Sequence, residues 1–142
     1  MESQPPGPIV VLADDLIWST RLAGHVRAAG FEAIAVRSAE TFAARLGAGA
    51  GGAIVDLTSL AYDGLAAIAA ARDAGVAVLA VGQHDDLVLR RNALAVGADR
   101  VLAYRKLFDD GPATIARWIA AARPPATAPT PPDPDPEEAA TR

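Results

Sequence analysis

Five short apolar runs, each followed by a stretch of helical periodicity, constrain this chain more than anything else in it. The runs are IVVLA (9–13), EAIAVR (32–37), AIVDL (53–57), VAVLAVG (76–82) and DRVLAY (99–104). The fourth is unbroken in its apolarity, as strands are when both faces of a parallel sheet are covered. Between the runs lie the helical stretches. The first (16–30) spaces Trp18, Leu22, Val26 and Ala29 as one face and stops at Gly30. The second (38–46) puts Phe42 and Leu46 together, and the third (63–75) closes on Gly75. The fourth (85–97) has Asp86 as an N-cap and Gly97 as its end. The last (111–123) carries Pro112 in its first turn and an Ile115/Ile119/Ala122 stripe. Strand then helix, five times over, is wired most economically by parallel strands with right-handed crossovers. The expected fold is α/β: a three-layer, doubly wound, five-stranded parallel sheet of flavodoxin-like order 2-1-3-4-5.

The two ends differ from the middle. Residues 1–8 hold three prolines and residues 124–142 hold seven. Proline at that density neither continues a helix nor donates to a sheet. The division expected is a flexible N-terminal segment (1–8), one folded domain (9–123) and a proline-rich disordered tail (124–142). The opening MESQPPGPIV lacks the basic and apolar regions of a signal peptide, and no run approaches the roughly 18 apolar residues of a membrane span. A soluble cytoplasmic protein without a membrane partner is the expectation. With a net charge of -4 and no basic block, the chain is not expected to bind nucleic acid. The absence of cysteine removes disulfides and thiolate chemistry. No glycine-rich loop follows the first run and no nucleophile–base pair is visible, so the chain does not read as an enzyme or a nucleotide cradle.

What remains is a set of acids. In open α/β sheets ligands bind outside the carboxyl ends of the strands, where the strand order reverses. The first run leads into Asp14 and Asp15, and the third contains Asp56. Carboxylates gathered on one rim repel unless a cation joins them, and Mg²⁺, which takes oxygen ligands, suits such a cluster. Asp14, Asp15 and Asp56 are therefore the candidate metal ligands. The alternative for Asp15 is to cap the first helix, leaving Asp14 solvated.

The order of elements, VLADD at the end of the first strand, IVDL in the third and AVGADRVLAY leading into the fifth resemble the receiver domains of two-component response regulators, over essentially all of residues 9–123. DDLIWSTRL also resembles the opening of small stand-alone, divergent members often called pseudo-receivers. The resemblance implies that Asp56 is the phosphoacceptor of a histidine kinase, that two acids after the first strand hold Mg²⁺, that a hydroxyl residue ends the fourth strand and that a lysine ends the fifth. Counting back from Gly30 sets Ala13 and Asp14 at the acidic positions, with Asp15 just beyond. A helix one residue shorter restores both acids. The hydroxyl position falls on Gly82 and the lysine position on Tyr104. Lys106 lies two residues on, and as part of a strand it would share the direction of Tyr104.

The reading that results is a stand-alone receiver-like signalling module that acts through protein–protein contact with an incomplete phosphorylation switch and no required cofactor. Its rivals are a genuine Mg²⁺-dependent receiver phosphorylated on Asp56 and a flavodoxin-like domain that binds a small ligand. The partners expected are a histidine kinase or an output protein, with a homodimer through the last helix as a further option. Leu107, Phe108 and Trp118 are the candidate partner face, with Trp118 placed on the flank of the helix where an aromatic anchors partners. Trp18 either covers the site mouth or packs in the core. His25 reads as a boundary residue, His84 as a loop residue near the rim, and Arg90 and Arg91 as a solvated helix face.

Overall fold

The computed structural model describes residues 7–83 and 85–122. The expectations for residues 1–6, for His84 and for the proline-rich tail lie outside the described residues. Elements alternate without exception: β1 Ile9–Leu12, α1 Leu16–Ala28, β2 Ala33–Val36, α2 Ala39–Gly47, β3 Gly52–Asp56, α3 Gly64–Asp73, β4 Val78–Gly82, α4 Leu87–Val96, β5 Arg100–Ala103 and α5 Tyr104–Ala122. The strands form one parallel sheet of order β2-β1-β3-β4-β5, the order expected from the sequence.

Each of the first four helices follows a capping residue, of which the sequence suggests Asp15 and Asp86, while Ser38 and Asp63 emerge from the structure. Asp15, Ser38, Asp63 and Asp86 accept from the backbone N–H groups of Trp18, Thr41, Ala66 and Leu89. Each bond satisfies one of the donors that a helix start leaves without a partner. Gly30 and Gly75 turn the chain out of α1 and α3 with φ of 98° and 75°, a conformation only glycine adopts freely.

Alternation along the strands divides the core into two layers. Val10, Leu12, Val55 and Ala80 pack under α2, α3 and α4 with Phe42, Leu46 and Ile68. Ile9, Val11, Ile54, Leu79 and Val81 face α1 and α5, meeting Leu22, Val26, Ile115, Trp118 and Ile119. The N-terminal segment is already tied down at Pro8, whose carbonyl accepts from Gly51 N at 2.9 Å.

Two features depart from the sequence reading. First, Trp118 is 1 % exposed and Leu107 fully buried, so neither lies on an outer face. Gly52, at the start of β3, supplies the reason. A Cβ there would lie 2.9 Å from the Trp118 ring, so the missing side chain is the notch into which the indole packs. The buried stripe of α5 is therefore Thr114, Ile115, Trp118 and Ile119, wider than the expected Ile115/Ile119/Ala122. A homodimer anchored on Trp118 and Leu107 is not compatible with their burial, and of the three candidate contact residues only Phe108 is exposed.

Second, β5 ends at Ala103, and the chain enters a helix at Tyr104 instead of running on as strand. A break at Asp110 (φ -149°, ψ 40°) separates this opening turn from the Pro112-led main part of α5. The shared strand direction of Tyr104 and Lys106 is thereby removed. Two helical residues apart means about 200° around the axis, and Lys106 lies on the exposed side.

Candidate functional site

Asp56 is the last residue of β3 and 1 % exposed. Strand alternation gives it the same face as Ile54, toward α1 and α5. A carboxylate withdrawn from water needs donors, and here they converge on one oxygen. Oδ1 accepts from Thr58 N at 3.0 Å, from Thr58 Oγ1 at 2.8 Å and from the Tyr104 hydroxyl. The Thr58 and Tyr104 hydroxyl oxygens are themselves 2.7 Å apart. Three oxygens thus form a closed triangle with two hydroxyl protons to share among its three sides.

The register explains why Tyr104 arrives there. Asp56 pairs with Val81, and Val81 with Leu102, so the position just past β5 stands beside the end of β3 across one strand. Gly82, between them, brings no side chain to the site. Burial, and then the hydrogen bond to Asp56, hold the Tyr104 phenol well above the usual tyrosine range, with the hydrogen bond to Thr58 acting in the opposite sense. The ring is also clamped from the side. Trp18 of α1 lies with its centroid 4.0 Å from that of Tyr104, tilted by 32°. Beyond it, the Arg21 guanidinium stands 5.8 Å from the Trp18 ring and 5.2 Å from that of Phe108. Trp18 packs on the α1/α5 core layer and at the same time borders the site, so both expectations for it describe part of its position.

On the other side, Tyr62 bridges the strand ends. Its hydroxyl donates to the Asp56 carbonyl at 2.6 Å and lies 3.0 Å from the Leu12 carbonyl. Its pKa is raised, chiefly by burial and then by the charge of Asp56.

The expected metal centre is not assembled. The carboxylate of Asp15 caps α1 at 3.0 Å from Trp18 N, and Asp14 faces Arg37 at 3.6 Å in an exposed pair. Asp56 is taken up by Thr58 and Tyr104. Among the described residues no three histidine, aspartate or glutamate side chains group as a metal site. Ala13, buried beside the end of β3, puts a methyl group at the first acidic position. This donor set does not fit a Mg²⁺ ion held by Asp14, Asp15 and Asp56. Lys106 is in no ion pair among the described residues.

Thr58 and Tyr62 were not anticipated. An aspartate followed two residues later by a residue whose N–H it accepts is an Asx-type turn, so the Asp56–Thr58 spacing was a usable signal. Nothing local marks Tyr62, whose other acceptor is 50 residues away. His25 packs its ring against Gly111, where a Cβ would lie 2.6 Å from the imidazole. Burial and the neighbouring Arg21 lower its pKa.

No protein-family model matches the chain, and no curated protein matches its sequence significantly. Solved structures do match it. The CheY-like response regulator receiver domain protein from Methanospirillum hungatei is 17 % identical, with 82 % of this chain covering 96 % of that one at a TM-score of 0.68. The Francisella response regulator 1452 receiver domain is 12 % identical, covering 82 % of this chain and 99 % of that one at 0.70. NtrX from Brucella abortus reaches 0.74 at 17 % identity, over 82 % of this chain and 28 % of the larger protein. At such identities the likeness is one of architecture. The fold is that of response-regulator receiver domains. Among the described residues no helix is long and apolar enough to cross a membrane.

Proposed function

We propose that the chain is a receiver-type signalling module that works by protein–protein contact, is not itself an enzyme, and carries an incomplete phosphorylation switch. One observation carries the reading: a neutral tyrosine hydroxyl donates to Oδ1 of Asp56, where the resemblance to receivers implies a lysine. Phosphorylation would replace one negative charge by about two. A cation in the Tyr104 position and a hydroxyl in the Gly82 position would meet that charge. A phenol and a bare glycine backbone meet it poorly. The scattered acids add to this, since among the described residues no three acids group as ligands for a Mg²⁺ that would neutralise an incoming phosphoryl group.

Contact with a protein partner is supported by where apolar surface is left open. Six large apolar residues more than half exposed are Leu16, Ile17, Leu60, Leu87, Val88 and Phe108. Leu16 and Ile17 open α1, Leu87 and Val88 open α4, Leu60 lies between β3 and α3, and Phe108 is in the opening part of α5, so these residues lie toward the edge of the sheet at which the strands end. Apolar surface concentrated on one edge marks an interaction site more often than scattered single residues do.

The test is incubation of the full chain with acetyl phosphate and Mg²⁺, followed by intact mass measurement. Transfer would form a P–O bond to an Asp56 oxygen and break the donor's P–O bond, with acetate leaving. The expected spectrum is unchanged. One added phosphoryl group that Asp56→Asn abolishes would establish a working phosphoacceptor in place of this reading.

A further inference from the structure

The break at Asp110 divides α5 into two pieces that are held in different ways. The main piece, led by Pro112, buries Thr114, Ile115, Trp118 and Ile119. In the opening piece, residues 104–109, only Leu107 is buried. The backbone does little to join the two. Asp110 leaves the helical dihedrals, and Pro112 has no N–H with which to bond back to the Phe108 carbonyl.

A row of side chains on α1 holds the opening piece instead. Trp18 stacks on Tyr104, the Arg21 guanidinium lies 5.2 Å from the Phe108 ring, and a Cβ on Gly111 would lie 2.6 Å from the His25 ring. Trp18, Arg21 and His25 are three and then four residues apart, so they share one face of α1. Tyr104, Phe108 and Gly111 run beside them in the same order, with spacings of four and three. The row ends at the site, where the Tyr104 hydroxyl donates to Oδ1 of Asp56. A piece of chain with its own hinge, few buried groups and one row of contacts opens without the rest of the domain unfolding.

We infer that residues 104–109 are a latch, hinged at Asp110 and Gly111, zipped onto Trp18, Arg21 and His25, and locked by the bond from Tyr104 to Asp56. Closed, it sets Tyr104 on a carboxylate that is 1 % exposed. Open, it uncovers Asp56 and the Trp18 ring together. Lock and zip belong to one row, so each acts on the other. Whatever takes the Asp56 oxygen from Tyr104 loosens the turn that bears Phe108, and whatever draws Phe108 off Arg21 unlocks Asp56. The latch needs no phosphoryl group, so it stands or falls independently of the reading of the phosphorylation switch.

Native-state hydrogen exchange of the full chain, read residue by residue at increasing sub-denaturing urea, tests the latch. The amides to follow are those of Phe108 and Asp109, whose helical acceptors lie in the opening turn itself. They are expected to exchange about tenfold faster than those of residues 115–119, with little dependence on urea, as local opening requires. Tyr104→Phe keeps the stack and removes the lock, and should speed them about thirtyfold, the effect of losing one hydrogen bond to a charged group. Arg21→Ala alters an exposed position away from Asp56. It should speed the same amides about threefold, the effect of losing an exposed cation–π contact. It should also raise acrylamide quenching of Trp18, to which the buried Trp118 adds little. Should Tyr104→Phe fail to fold, Arg21→Ala decides by the same criteria. Amides of Phe108 and Asp109 that share the rate and urea dependence of residues 115–119 overturn the inference, because the piece then opens only with the whole domain. Amides that Arg21→Ala leaves unmoved overturn it too.

Discussion

The Tyr104 hydroxyl donates to Oδ1 of Asp56, joining a residue just past β5 to the end of β3 across the intervening β4. The bond serves two ends at once. It solvates a buried carboxylate, and it fixes the ring that stacks on Trp18. Replacing Tyr104 by Phe keeps the stack and removes the donor, leaving Oδ1 with Thr58 alone. Hydrogen bonds to charged groups are worth about 2 kcal/mol, so the urea midpoint of Tyr104→Phe should fall by a corresponding amount. An unchanged midpoint would mean that the bond contributes nothing to holding the site. Tyr104→Lys, in contrast, supplies a cation beside Asp56. It is expected to raise labelling by acetyl phosphate and Mg²⁺ above the level of the parent chain, measured by intact mass.

Both tyrosines of the chain sit in this site, and burial raises the pKa of each above the ordinary 10.0. A native state that holds its phenolic protons more tightly than the unfolded chain keeps its full stability below pH 10 and loses it as the pH rises toward the folded-state value. Phenolate absorbance of the native protein should therefore stay low through the range in which the urea-unfolded chain titrates. Its rise should coincide with loss of the far-ultraviolet circular dichroism signal. Ordinary titration of either tyrosine in the folded protein would contradict the buried positions of these rings.

Trp118 and Gly52 make a second dependent pair. Trp118→Ala empties a fully packed position and is expected to cost about 3–5 kcal/mol, with no change in apparent mass on sizing. Gly52→Ala approaches the same contact from the other side. Its methyl group would press on Trp118 and Ile119, and overpacking of this kind costs about 1–3 kcal/mol. Should Trp118→Ala leave stability intact and shift the oligomeric state, the indole is an outer contact after all.

These two pairs also show what the sequence could and could not disclose. Apolar runs, helical spacing, capping residues and terminal glycines each carry local information, and a parallel sheet buried on both faces makes its strands conspicuous. Sheet order and the position of Asp56 at a strand end followed from that. Trp118 was misplaced because its environment is set by a missing side chain in β3, some 66 residues earlier by the numbering, which helical periodicity does not register. Lys106 was misdirected because the helix begins directly at Tyr104, while Pro112 advertises a start several residues later. The hydroxyl triangle was half visible. Tyr104 was singled out as an uncharged replacement, but its link to Thr58 spans 46 residues and depends on the register of three strands.

His25 offers a pH-dependent check on the packing of α1 against α5. Its ring lies against Gly111, just beyond the break in α5, and burial followed by the charge of Arg21 lowers its pKa from the ordinary 6.5. The native state then binds the proton less readily than the unfolded chain. Its contribution to stability is complete above pH 6.5 and declines as the pH falls toward the depressed folded-state value. Between about pH 7 and pH 5 the carboxylates stay mostly ionised, and the protonation of His25 changes with folding in that interval. The urea midpoint should drop across that interval, and His25→Gln should flatten the drop. A profile that keeps its full slope in His25→Gln would detach the α1–α5 contact from pH.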